Sequence, residues 1–172
     1  MGLVRPFHVL LVCSSNAARS IIAKAILNKL GGEHFAAHSA GSQPKPAVDP
    51  HALALLERLG HETSGLRPKS WHVFAEPGAP EFDLIITLCD EAAGEACPSF
   101  PGAPLAAHWG LADPAAAEGT PAEIALAFDE TYRALFGMIE LLVALPVRSI
   151  GKMSLHVKLR EVGDAQRVPA AG

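Results

Sequence analysis

A chain of 172 residues, 49 % of them apolar and 19 % charged, is long enough for one domain with a full core and short for two. Its net charge of −4 supplies no basic face for a nucleic-acid partner, and no apolar run approaches the ~20 residues that span a bilayer. The first residues, Met1 to Pro6, lead straight into a predicted strand without the apolar stretch of an export signal, and Pro6 occupies the position where myristoylation needs Ser or Thr, so the expected location is the cytoplasm.

Val9 to Val12 is a continuous apolar run, the pattern of a strand buried on both faces. A predicted helix follows, with Ile22, Ala23, Ile26, Leu27 and Leu30 at helical spacing and Gly31-Gly32 as its stop. Phe35 to Ala40 reads as a second strand ending at Gly41. Asp49 is placed to cap a helix whose first residue is Pro50, with Leu53, Leu56 and Leu59 leading to a stop at Gly60. Thr63 to Pro80 is rich in Pro, Gly and Ser and reads as a long loop with one turn near Ser70 to Phe74. Asp83 to Leu88 is the clearest strand, and Leu105 to Trp109 a short fourth one. Pro121 to Leu145 carries Ile124, Leu126, Phe128, Tyr132, Leu135, Met138, Ile139 and Leu142 as the apolar positions of a long helix, ended by Pro146. The expected division is a domain over 1–146 and a tail over 147–172, in which Ile150, Met153, Val157 and Leu159 line one side of a short helix. Strands alternating with helices predict an α/β fold, a four-stranded parallel sheet flanked by helices with right-handed crossovers. Ligands of such sheets bind at the carboxyl ends of the strands, where Cys13, Ser39-Ala40-Gly41, Cys89 and the segment after Trp109 all fall.

The densest chemistry lies in Cys13-Ser14-Ser15-Asn16-Ala17-Ala18-Arg19-Ser20, between the first strand and the first helix. Small residues let a loop curl its backbone N–H groups around a tetrahedral anion, and the helix N-terminus adds its positive dipole. Arg19 supplies a planar fork of donors suited to phosphate-like oxygens, and Ser14 to Ser20 form the expected anion-binding set. The same positive field favours the thiolate of Cys13, making it a nucleophile inside an anion site. Asn16 is placed to lock the loop through backbone hydrogen bonds, and Ser20 to donate to the Cys13 sulfur. Asp113, held extended before Pro114 in His108-Trp109-Gly110-Leu111-Ala112-Asp113-Pro114, is the best general acid for a departing oxygen.

Three cysteines without an export signal argue against a disulfide framework. Cys89 and Cys97 lie eight positions apart, the first at the end of a buried strand, with no compact Cys-x2-Cys pair for zinc. Burial as small apolar residues is one reading of them; beside the Cys13 loop, thiol–disulfide exchange fits better. The eight histidines show no ligand spacing, so no metal site is expected, and His108 beside Trp109 is the one nearest the predicted site.

With these motifs, residues 7 to 145 resemble the arsenate reductases built on the low-molecular-weight protein tyrosine phosphatase fold. The match is carried by Val12 to Ser20 in the pattern Val-Cys-x-x-Asn-x-x-Arg-Ser, by Ser39-Ala40-Gly41, by Thr87-Leu88-Cys89-Asp90, by Cys97-Pro98 with Pro101-Gly102, and by His108-Trp109-Gly110 with Asp113-Pro114. The resemblance implies a three-layer fold and a three-thiol relay. Cys13 attacks arsenate while Asp113 protonates the leaving oxygen, Cys89 attacks Cys13 with release of arsenite, and Cys97 passes the disulfide outward to thioredoxin. It implies no tightly bound cofactor, with thioredoxin, or glutaredoxin with a small thiol, as external reductant, and phosphate or sulfate as competing anions. Relatives with a potassium site place an acidic residue on the first helix where this chain has Lys24, so no potassium requirement is expected. Two rival readings remain: a tyrosine phosphatase using only Cys13, Arg19 and Asp113, and a non-catalytic protein binding oxyanions or arsenite through its thiols. Against the first, Pro114 to Gly119 offers no aromatic side chain on which a phosphotyrosine would stack.

Overall fold

The computed structural model describes residues 5–94 and 98–165. Strands β1 (Phe7–Cys13), β2 (Phe35–Gly41), β3 (Leu84–Thr87) and β4 (Leu105–His108) form one parallel sheet in the order β2-β1-β3-β4. Helices α1 (Arg19–Gly31), α2 (Pro50–Arg58), α3 (Asp90–Gly94), α4 (Pro121–Ala144) and α5 (Lys152–Ala165) flank it. From β1 the chain crosses to one edge of the sheet to make β2, then returns past β1 to make β3. The connections after β1 and β3 therefore leave in opposite directions, and that reversal opens a crevice at the carboxyl end of β1.

β1 is central, and Val9 to Cys13 are fully buried, as their unbroken apolar run requires. Helix α1 is buried along most of its length, with Ile21, Ile22, Ala23, Ile26 and Leu27 enclosed by β1, β2 and α4. Its neighbours have their ends fixed by side chains. Asp49 accepts from His51 N (2.8 Å) ahead of Pro50 at the start of α2. Thr120 and Glu123 exchange hydrogen bonds in a capping box at the start of α4, whose buried face is Phe128, Leu135, Met138, Ile139 and Leu142. Leu126, expected on that face, is half exposed, because α4 covers α1 and α2 along a narrower stripe than its apolar content allows. Ser70 caps the 3-10 turn Trp71–Phe74 in the long loop.

The C-terminal segment differs from the expected one. Helix α5 buries Leu155, Leu159 and Val162, whereas Met153 is 85 % exposed and Val157 52 %. Two apolar stripes exist in this segment, and periodicity cannot choose between them; the partner chooses. Trp109, fully buried just past β4, donates from Nε1 to Leu159 O (3.0 Å) and so sets the rotation of the helix. Gly163 completes the fit, since a Cβ there would lie 2.9 Å from Trp109 Cδ1 and 3.1 Å from His108 O.

That close approach generates a stability prediction. Overpacking costs about 1–3 kcal/mol, while the better helix propensity of Ala returns up to about 1 kcal/mol, so Gly163→Ala is expected to lose about 1–2 kcal/mol net. Urea unfolding followed by Trp fluorescence measures it; a midpoint equal to or above that of the parent would contradict the docking of α5 on Trp109.

Candidate functional site

Residues 14–18 turn between β1 and α1, and their backbone is held in a curl from outside. Ser14 O accepts from Gln43 N (2.8 Å), Ser15 O from Lys45 N (2.9 Å) and Ala17 O from Asp49 N (2.9 Å). Because each peptide unit is planar with C=O and N–H opposed, carbonyls drawn outward turn the N–H groups of Ser15, Asn16 and Ala18 to the inner side. Asn16 takes a left-handed conformation (φ 48°), which asparagine tolerates better than most residues. Its buried side chain accepts from Lys69 N at Oδ1 (2.9 Å) and donates from Nδ2 to Ser20 Oγ (2.7 Å). Ser20 Oγ lies 3.0 Å from Cys13 Sγ, and with its oxygen already accepting from Asn16, its own proton is left to point at the sulfur. Helix α1 begins without a side-chain cap at Ala18 and with no acidic residue in its first turn, so its leading N–H groups stay available to an anion.

Ser39-Ala40-Gly41 closes the loop from β2. A Cβ on Gly41 would stand 2.6 Å from Ser14 O and 2.9 Å from Asn16 Cβ, so only glycine lets the curl seat against the strand end. Gly41 N in turn donates to Lys69 O (2.8 Å), tying β2 to the residue whose N–H braces Asn16.

Arg19 is 5 % exposed, and its Nη1 donates to Leu111 O (2.8 Å), which anchors the guanidinium between the loop and the segment after β4. Asp113 Oδ2 stands 3.7 Å from Arg19 Nη2, while its Oδ1 accepts from Ala115 N (3.0 Å) to cap the turn Pro114–Ala116. One carboxylate oxygen is thus fixed in a turn and the other leans toward the guanidinium. Arg19, Asp90, Glu91, Gly110, Leu111, Ala112 and Asp113 line a cavity of about 490 Å³ at this rim.

Cys13 and Cys89 are both free thiols and both buried. Cys89 ends the β3 region, and its Sγ accepts from Ser14 N (3.2 Å) and from Ala92 N (3.4 Å), so the sulfur caps the short helix α3 while touching the residue that follows Cys13. The structure therefore brings Cys13, Ser14 to Ser20, Cys89 and Asp113 to one rim. Cys97 lies outside the described residues.

Several contacts at this rim had no signature in the sequence. His108 Nε2 donates to Asp90 Oδ1 (2.8 Å), and its Nδ1 lies 2.7 Å from the Thr87 hydroxyl, a chain that ties β3, β4 and the first residue of α3 together. The proximity of His108 to Trp109 was legible, but its partners depend on the register that sets Thr87 beside His108. Lys69 was also missed. Its ammonium donates to the carbonyls of Arg67 (2.8 Å) and Ser39 (3.4 Å), whereas Lys24, expected to stand in for a cation, is half-buried close by. No group of three His, Cys, Asp or Glu side chains among the described residues is arranged to hold a metal ion, and no described helix is long and apolar enough to cross a membrane.

Fold and site together define a class: α/β proteins in which a cysteine at the end of the first strand lies within an oxyanion-binding loop closed by an arginine. The chain belongs to the low molecular weight phosphotyrosine protein phosphatase family, whose model matches residues 8–144. Among curated relatives, an arsenate reductase of Halalkalibacterium halodurans is 32 % identical over 112 residues, which is 65 % of this chain and 77 % of that protein. An arsenate reductase of Bacillus subtilis strain 168 is 30 % identical with the same coverage. Among solved structures, a thioredoxin-dependent arsenate reductase of Corynebacterium glutamicum superposes on 81 % of this chain with a TM-score of 0.54 and 29 % identity; this chain spans 65 % of that one. An arsenate reductase in a phosphate-binding state gives a TM-score of 0.63 at 26 % identity, over 80 % of this chain and 97 % of that chain.

The glycine seat of the loop supplies a direct check. Gly41→Ala forces the Ser14–Asn16 curl outward, and displacements of this kind reduce turnover by roughly tenfold to a hundredfold. Calorimetric titration with inorganic phosphate is expected to show a matching loss of affinity at the loop; unchanged phosphate affinity would mean that Gly41 does not set the loop's shape.

Proposed function

We propose that this protein is an arsenate reductase that converts arsenate to arsenite through a relay of three thiols. The single observation that carries the reading is the Ser14 N–H donating to Cys89 Sγ, which sets a second buried free thiol against the nucleophile loop. A phosphoester hydrolase needs one cysteine, an arginine and an acid; it has no use for a second thiol at that place.

The steps follow from the groups available. Arsenate binds with its oxygens on the N–H groups of the loop and on the Arg19 fork. The Cys13 thiolate attacks arsenic, forming an S–As bond, while Asp113 gives its proton to the departing oxygen, which leaves as water. Cys89 then attacks the Cys13 sulfur. The S–As electron pair goes to arsenic, which leaves as arsenite, and the two sulfurs are joined in a disulfide; arsenic gains the two electrons that the thiols lose. Cys97 next attacks Cys89, freeing the Cys13 thiolate and leaving a Cys89–Cys97 disulfide for an external dithiol such as thioredoxin. The five-residue helix α3 lies between these two cysteines in sequence, and so short a helix contributes little to resist rearrangement. A reductant of this class works in the cytoplasm, where the low potential keeps thiols reduced.

The test is a coupled assay that follows NADPH oxidation with arsenate, thioredoxin and thioredoxin reductase. Cys13→Ser, Cys89→Ser and Cys97→Ser should each stop turnover, and Asp113→Ala should slow it by roughly 10²- to 10⁴-fold. Rapid hydrolysis of aryl phosphates without arsenate-dependent NADPH oxidation would replace this reading with the phosphatase one. Survival of Cys97→Ser would move the donor to a small thiol.

A further inference from the structure

Beside the brace of the loop lies a second cavity, of about 590 Å³, whose lining includes Lys24, His38, Arg67, Lys69, Val73 and Phe74 and contains no carboxylate. In a chain of net charge −4, three cations gathered in one pocket without an acid call for an explanation. Among the described residues neither Lys24 nor Arg67 forms an ion pair or a side-chain hydrogen bond. Lys69 spends its ammonium only on the carbonyls of Arg67 and Ser39. Burial and mutual repulsion both act on these groups. Burial, then Lys24 and Arg67, push the Lys69 ammonium down to about 8, and burial followed by Arg67 lowers Lys24. Burial, then His8, Lys24 and Lys69, hold the His38 imidazole down to about 4, so it is neutral at pH 7.

We infer that this pocket is a second anion site, which takes a multiply charged oxyanion of the phosphate class. Lys24 and Arg67 supply its charge, Lys69 adds a third donor, and Val73 with Phe74 lines an apolar side of it. An anion there relieves the cation–cation repulsion that the folded chain otherwise sustains, and binding to the folded state alone stabilises that state. Its position links it to the first site. Lys69 N donates to Asn16 Oδ1 and Lys69 O accepts from Gly41 N, so an anion held by the Lys69 side chain steadies the two contacts that shape the nucleophile loop. The inference does not rest on the reductase reading; a phosphatase with this pocket would bind the same anion.

Calorimetric titration of the full chain with inorganic phosphate at low ionic strength tests it. Two phosphates per chain are expected for the parent. Arg19→Ala should lose the loop site and keep the second, whereas Lys24→Gln combined with Arg67→Gln should lose the second and keep the loop site. Arg67 is exposed, so Arg67→Gln alone tests the site even where the double variant does not fold; it should weaken the second phosphate by about tenfold. A single phosphate per chain that vanishes in Arg19→Ala would overturn the inference. So would a second phosphate whose affinity Arg67→Gln leaves unchanged.

Discussion

The site depends on holding the loop 14–18 in a curl, with the carbonyls of Ser14, Ser15 and Ala17 turned out and the N–H groups of Ser15, Asn16 and Ala18 turned in. A short loop of small polar residues has no intrinsic reason to keep that shape, since each unpaired N–H costs free energy and each residue loses conformational freedom. The chain meets the cost from outside the loop. Residues 43, 45 and 49 take its carbonyls, Lys69 and Ser20 take both ends of the Asn16 amide, and Gly41 leaves room for the curl. The anion site is thus assembled by β2 and the long loop after α2 as much as by the residues that touch the anion.

The parallel sheet does the rest. Because β1 and β3 are neighbours, Leu88 N donates to Val12 O, and the chain beyond each strand emerges at the same rim. That adjacency sets Cys89 beside Ser14 with no special device. β4, paired with β3, delivers Leu111 O to Arg19 and brings Asp113 to the guanidinium. Cys13, Arg19, Cys89 and Asp113 are therefore separated by up to 100 positions in sequence and brought to one rim by two ladder pairings, β1 with β3 and β3 with β4.

Much of this was legible in the sequence where a local rule governs. The apolar runs of β1 and β3, the Asp49-Pro50 helix start, the long helix from Pro121 and the Gly31-Gly32 stop each follow from residues close to one another in sequence. The shape of the Cys13–Ser20 loop was legible because Asn16, Arg19 and Ser20 all lie within seven residues of Cys13. What escaped was set by contacts across the sheet. The face of α5 is chosen by Trp109, fifty positions before Leu159, and either apolar stripe satisfies helical spacing. The His108 chain to Thr87 and Asp90 needs the β3–β4 register, and the cationic pocket needs α1, β2 and the long loop to converge. Leu126 shows the converse error, an apolar side chain at the right period with nothing to cover it.

The central claim is that Cys89 is the thiol that attacks the sulfur of Cys13 after arsenic has bound there. The most direct measurement uses Cys97→Ser, mixed with one equivalent of arsenate and no reductant, then quenched in acid, alkylated and mapped by peptide mass. The account predicts one arsenite released per chain and a disulfide between the peptides that carry Cys13 and Cys89. Recovery of Cys89 fully alkylated, with arsenite nonetheless released, would contradict it.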